Sequence, residues 1–244
     1  MNNFLSNNLN HVVKGDCLEL FKKLENNSID VVFTSPPYFS RGGMNHKKYL
    51  GREEKYDDYF GFSCEVIDEC LRVSKKYVLY NIQALRGNRN SIYKIIGKYA
   101  ELIHDILIWY KPNGMPSSNN KISNKYEMVL IIKKNPKDSV DVTSKRFDNV
   151  IKMNTNSENE YSDIHGAVMK KEFCDEIIKN FTEENDIVLD PFFGTGTTGL
   201  CCKEQNRKFI GFEIEEKYIQ ASKNRLNGIK RNGQTSIFTN FENI

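Results

Sequence analysis

Val188-Leu189-Asp190-Pro191-Phe192-Phe193-Gly194-Thr195-Gly196-Thr197-Thr198-Gly199 runs from a short apolar strand through a glycine-rich turn into a helix. A strand that breaks this way brings backbone groups close to a ligand, because glycine lacks a Cβ and takes backbone angles closed to other residues. Outward from this turn the same alternation recurs. Toward the carboxyl end come a helix from about 198, a strand at 209–212 and a helix from 215 to about 226. Toward the amino end, apolar strands are predicted at 12–13, 30–33, 77–80, 105–109, 127–132 and 187–189, with helical periodicity over 17–24, 57–73, 90–98 and 170–180. Short strands alternating with amphipathic helices predict an α/β fold, a mainly parallel sheet with helices on both faces.

A length of 244 residues fits one sizeable domain with a full hydrophobic core, so 1–244 is read as a single domain. Two polar stretches interrupt the alternation. Residues 39–58 read as a long mobile loop, and residues 133–163 as a linker or a small recognition insertion. Hydrophobic content of 39% and charged content of 27% are ordinary for a soluble protein. With a net charge of only +3, any contact with nucleic acid has to come from local basic patches. No run of 18 apolar residues offers a membrane span, and Met1-Asn2-Asn3-Phe4-Leu5-Ser6 lacks the features of a secretory signal. The six cysteines show neither C-x-x-C nor zinc spacing, so buried free thiols, no metal and a reducing cytoplasm are expected.

The glycine turn admits more than one nucleotide. Gly194, Gly196 and Gly199 match the G-x-G-x-x-G pattern of dinucleotide sites. Asp190 lies just before the turn, where a carboxylate would repel a pyrophosphate docking on the helix N-terminus. S-adenosylmethionine carries an ammonium and a sulfonium, and both suit a nearby acid. Glu213, at the tip of the next strand, is placed to hold ribose hydroxyls of whichever nucleoside binds.

A second loop, Thr34-Ser35-Pro36-Pro37-Tyr38, follows another strand. Two successive prolines cannot extend a ladder, and they leave the backbone few states. Such rigidity would hold a hydroxyl, a carbonyl and an aromatic face around one guest group. An exocyclic base amine is a poor nucleophile, its lone pair being delocalised into the ring. If Ser35 Oγ and the Pro36 carbonyl accept its two N–H groups, the nitrogen is drawn toward tetrahedral geometry and its lone pair is freed. Tyr38 would stack on a base swung out of the helix.

With both loops in view, the chain resembles the amino-methylating DNA methyltransferases, whose catalytic signature is Asp/Asn/Ser-Pro-Pro-Tyr/Phe/Trp. The order, Ser35-Pro36-Pro37-Tyr38 first and the Asp190–Thr198 loop last, resembles the beta class of permuted restriction-modification enzymes over roughly residues 11–228. The resemblance implies a Rossmann-like S-adenosylmethionine-dependent methyltransferase fold with one antiparallel strand near the sheet edge. It implies catalysis at Ser35, Pro36, Pro37 and Tyr38, by direct transfer without a covalent enzyme intermediate. As cofactor-binding residues it carries over Asp190, Pro191, Phe192, Gly194, Thr195, Gly196, Thr197 and Glu213. Asp16 and Cys17, in Lys14-Gly15-Asp16-Cys17, match the opening motif beside the cofactor adenine. His165, in His165-Gly166-Ala167, matches a segment bordering the methionine end, although Met169-Lys170 stands where the family continues with Phe-Pro. Ser35 in the first catalytic position resembles the cytosine-N4 enzymes; the adenine-N6 enzymes mostly carry Asp there, and a serine hydroxyl accepts from either amine.

Double-stranded DNA is the implied substrate. Arg41, Lys47, Lys48 and Arg52 follow the catalytic motif, where they could close over a displaced base and touch flanking phosphates. Lys111, Asn113 and Lys121 supply a second polar loop expected to face DNA. Residues 133–163 are short for a complete recognition region, so readout is expected to be shared with these loops or with a second subunit. A homodimer and a cognate restriction endonuclease acting on the same site are the further partners implied. Four rivals were weighed. Protein-glutamine methyltransferases place the two loops in the reverse order. Cytosine-C5 enzymes need a cysteine after a proline, and none of the six prolines here precedes one. An NAD-binding oxidoreductase shares the glycine pattern. A non-catalytic partner subunit would be expected to lose the intact Ser35-Pro36-Pro37-Tyr38.

Overall fold

The computed structural model describes residues 3–37, 58–85, 87–114, 122–155, 161 and 168–229. In chain order they form α1 (Asn3–Asn7), β1 (His11–Lys14), α2 (Cys17–Phe21), β2 (Ile29–Thr34), α3 (Tyr59–Val73) and β3 (Ser74–Ile82). There follow α4 (Arg89–Lys98), β4 (Ile103–Tyr110), β5 (Tyr126–Lys133), β6 (Val150–Lys152) and α5 (Lys171–Phe181). The chain closes with β7 (Ile187–Asp190), α6 (Thr197–Glu204), β8 (Lys208–Glu213) and α7 (Glu216–Leu226). The strands lie in one sheet of order β1-β8-β7-β2-β3-β5-β4-β6. Only β5 runs antiparallel to its neighbours β3 and β4. This is the Rossmann-like α/β architecture expected, with the single antiparallel strand where the resemblance implied it.

Central strands carry almost no polar residues because both faces are covered. Along β3, Val78, Tyr80 and Ile82 enter one core with residues of α2, α3 and α4. Their neighbours Tyr77 and Leu79 enter the other, with residues of α5, α6 and α7. That period of two is the strand's own pleat expressed as two hydrophobic layers. Helix starts follow local chemistry. Asp58 caps α3 by accepting from the Gly61 N–H at 2.8 Å, and Asp16 caps α2 by accepting from the Leu18 N–H at 2.9 Å. All six cysteines are buried and free.

The structure departs from the sequence reading in three places. Helix α2 stops at Phe21, not Leu24, although Leu24 still packs into the core. The short α1 was not anticipated, having a single buried residue, Leu5. Strand β6 was missed because three residues with burial alternating on one face give too little period to see. It lies inside 133–163 and pairs parallel with β4, Trp109 opposite Ile151. Other parts of that stretch also lie against the sheet. Phe147 meets Phe181 edge-on at 5.3 Å, and the Trp109 indole donates to the Met153 carbonyl at 2.9 Å. Residues 39–57 lie outside the described residues. No helix among the described residues is long and apolar enough to cross a membrane.

One glycine fixes how closely α6 approaches the sheet. Phe193 stacks on Phe209 at 5.5 Å, and a Cβ on Gly211 would stand 2.3 Å from the Phe193 ring. The ring is held in the core and cannot swing aside cheaply. We expect Gly211→Ala to lower stability by about 1–3 kcal/mol through overpacking, seen as a lower thermal midpoint; an unchanged midpoint would show that the ring relocates freely.

Candidate active site

Adjacent strands carry the two loops. Parallel strands β2 and β7 pair through Val31 with Val188 and Val32 with Leu189, so their carboxyl ends stand side by side. From β2 the chain runs on into Ser35, Pro36 and Pro37; from β7 it runs into the glycine turn. Thr34 Oγ1 donates to Asp190 Oδ1 at 2.8 Å and ties the two ends together. Tyr38 lies outside the described residues.

Asp190 is the hub of this junction. Its Oδ1 also accepts from the Phe192 N–H at 3.1 Å, and Oδ2 accepts from Thr198 Oγ1 at 2.7 Å. The residue is 5% exposed. Burial pushes its carboxyl up to about 6, with the three hydrogen bonds acting in the opposite sense. Glu213 behaves similarly on the next strand. Its Oε2 accepts from the Gly194 N–H at 2.7 Å, and Oε1 from the N–H groups of Ile214 at 2.8 Å and Glu215 at 2.9 Å. Burial raises its carboxyl above the usual range. Both acids thus shape the loop as well as facing it, a role that the charge argument alone had not assigned.

Other motif residues also hold the turn together. Gly194 and Gly196 have φ of 53° and 81°, in the left-handed region that glycine tolerates best. Arg225 of α7 donates to Thr197 Oγ1 at 2.8 Å and to the Thr195 carbonyl at 3.5 Å, while its guanidinium sits 5.4 Å from the Tyr161 ring. Pro191 is buried, and half-buried Phe192 meets Phe62 edge-on at 6.1 Å. Asp16 stands half-buried at the end of β1, whose partner is β8. Cys17 buries its side chain in the core, so any part it takes at the rim falls to its backbone. His165 lies outside the described residues.

This rim fits a cationic nucleoside. Asp190 and Glu213 are both raised by burial, and neither accepts a hydrogen bond from a basic side chain among the described residues. A positively charged guest would relieve the cost of holding them ionised, whereas a pyrophosphate would increase it.

The DNA-facing expectation needs a correction at Lys111. The residue is 8% exposed and its ammonium donates to Glu127 Oε1, so the charge is committed inside the protein and is not presented to a phosphate. Asn113 is exposed, with its side-chain oxygen accepting from the Thr155 N–H at 2.7 Å. Arg41, Lys47, Lys48, Arg52 and Lys121 lie outside the described residues. Sequence reasoning missed Thr34, Asn81, Glu127 and Arg225. A signal was present for two of them: Asn81 and Glu127 are polar residues set beside the apolar runs of β3 and β5.

Sheet order and adjacent loops define a Rossmann-like methyltransferase. A family model described as DNA methylase matches residues 29–224, and the Type II methyltransferase M.HinfI of Haemophilus influenzae is 31% identical over 256 residues, 92% of this chain and 70% of that protein. The chain belongs to this DNA methylase family, the N4/N6 amino-methyltransferases. Among solved structures, M1.HpyAVI in complex with SAM is 26% identical with a TM-score of 0.65, over 89% of this chain and 98% of that one. The cytosine-N4-specific PvuII DNA methyltransferase shares the fold, with 20% identity and a TM-score of 0.69 over 88% of this chain and 85% of that one.

Proposed function

We propose that this protein transfers the methyl group of S-adenosylmethionine to the N4 amine of a cytosine swung out of double-stranded DNA. The reading is supported above all by the Thr34–Asp190 hydrogen bond, which joins the strand ends bearing the diproline and glycine loops. S-adenosylmethionine supplies an electrophilic methyl group on a sulfonium. Asp190 and Glu213 give the positive charge and the ribose an acidic rim, while Gly194 and Gly196 let backbone approach the nucleoside. Ser35 Oγ and the Pro36 carbonyl accept hydrogen bonds from the two amine N–H groups, orienting the nitrogen lone pair along the line of displacement. As the nitrogen–carbon bond forms the carbon–sulfur bond breaks to leave a neutral thioether, and the surplus N–H proton passes to solvent. Holding both reactants in this geometry supplies most of the acceleration. Tyr38 stacks on the displaced base, and Arg41, Lys47, Lys48 and Arg52 neutralise flanking phosphates. Cytosine is preferred over adenine on the strength of Ser35, the first residue of the catalytic motif.

Digestion of DNA treated with the protein and isotope-labelled methyl donor, followed by mass analysis of the nucleosides, tests this directly. Labelled N4-methylcytosine is the expected product. Labelled N6-methyladenine would overturn the choice of base, and label in neither nucleoside would overturn the reaction.

A further inference from the structure

Four polar side chains line up across the carboxyl edge of the sheet, from β2 to β4. Strands β2, β3, β5 and β4 are successive neighbours, and from them, or from the residue just beyond, come Ser35, Asn81, Glu127 and Lys111. The Lys111 ammonium donates to Glu127 Oε1. Asn81 Nδ2 donates to Glu127 Oε2 at 2.7 Å and to Ser35 Oγ at 3.2 Å. Asn81 is 1% exposed, and Glu127 and Lys111 are 8% exposed. The ammonium also lies 4.8 Å from the ring of Trp109, which is itself stacked on Phe173. Burying an ion pair is a poor way to gain stability, since apolar residues of the same volume would hold these strands as well. Its position beside the catalytic serine offers another reason for it.

We propose that Lys111, Glu127 and Asn81 form a positioning network that fixes how Ser35 presents its hydroxyl to the target amine, an inference that rests on the methyltransferase reading above. An ionised carboxylate only accepts hydrogen bonds. Paired with the Lys111 ammonium, Glu127 accepts from Asn81, which therefore presents its NH2 group and not its carbonyl. The second hydrogen of that group then occupies one lone pair of Ser35 Oγ. The amine then meets the hydroxyl oxygen from a direction set by the network. Ser35 is therefore held as a hydrogen-bond acceptor with a fixed orientation, and its polarity is dictated from three strands away.

Two variants test the network, using the full chain, tritium-labelled S-adenosylmethionine and unmodified DNA of mixed sequence. In Glu127→Gln the new amide satisfies either orientation of Asn81, and the serine loses its bias. Turnover is expected to fall about ten- to a hundredfold, the range typical when a group that orients a working residue is lost, with cofactor affinity nearly unchanged. The thermal midpoint falls as well, because Lys111 is left buried without its partner. In Asn81→Asp, two carboxyls share one site and one is forced to hold a proton at unusually high pH. The charged groups around it are Glu127 of β5, Lys111 at the end of β4 and, beyond Thr34, Asp190 of β7. Protonated, the new carboxyl keeps one of the amide's two hydrogens and can give it to Ser35; ionised, it keeps neither and pulls the Ser35 proton toward itself. Activity of this variant is expected to drop as pH rises through that shared titration, a limb missing from the wild type. Wild-type turnover in Glu127→Gln, equal losses of turnover and cofactor affinity in that variant, or a wild-type pH profile in Asn81→Asp would each overturn the proposal. Should Glu127→Gln fail to fold, the Asn81→Asp profile decides alone. Absence of methyl transfer by the wild type itself would overturn the methyltransferase reading, and the network with it.

Discussion

Ser35→Ala is expected to lower turnover by about a hundred- to a thousandfold, the loss typical when one preorganised hydrogen-bonding group is removed from a reacting centre. The side chain lies at the open end of β2, half-buried, and already accepts from Asn81. Alanine keeps the strand end and the diproline but leaves the amine with a single acceptor, the Pro36 carbonyl. The nitrogen then stays flattened and its lone pair delocalised. Because Ser35 stands on the substrate side, affinity for S-adenosylmethionine should change by no more than about threefold, well under 1 kcal/mol. Single-turnover transfer rates and calorimetric cofactor binding separate the two quantities. Turnover equal to wild type would remove Ser35 from the chemistry; equal losses in both quantities would assign it a structural part.

The sheet and both loops were legible in the sequence because each leaves a strong local mark. Strands such as Val31-Val32-Phe33 are buried on both faces and read as unbroken apolar runs. The glycine turn and the diproline are backbone statements that hardly depend on context. What could not be read was the wiring between distant segments. Nothing local in Thr34 announces that its hydroxyl meets a carboxylate 156 positions away, nor in Arg225 that it steadies the threonines of the glycine turn. Lys111 shows the opposite failure. A lysine beside Pro-Asn-Gly reads as a surface loop charge, yet the antiparallel pairing of β4 and β5 brings Glu127 beside it. Charge in a turn says where a side chain starts and little about where it ends.

Asp190 gives the other large effect, and its sign follows from burial. Without ligand its carboxyl is pushed up to about 6 in the folded protein from an ordinary value of 3.8. A group raised by folding stabilises the protein most when protonated, so its contribution is greatest below about pH 4 and is lost as pH rises through about 6. At neutral pH the ionised group holds roughly 3 kcal/mol of uncompensated desolvation. A sulfonium and an ammonium nearby favour ionisation and return part of that energy as binding. Affinity for S-adenosylmethionine should therefore strengthen as pH rises from 5 to 7. Asp190→Asn removes the charge at nearly the same shape: its oxygen keeps the Thr34 and Phe192 bonds, and its NH2 donates to the Thr198 hydroxyl where Oδ2 accepted. Affinity at neutral pH should fall about ten- to a hundredfold, equivalent to about 1.4–2.7 kcal/mol, and its pH dependence should flatten, while the ligand-free protein loses little stability or gains some. Asp190→Ala adds the loss of the Thr34 and Thr198 bonds, so it should weaken binding further and lower the thermal midpoint. Calorimetry across that pH range distinguishes the two roles. If the asparagine variant binds like wild type while the alanine variant does not, Asp190 acts only as the clamp between β2 and α6, and attraction to the cationic donor must come from elsewhere.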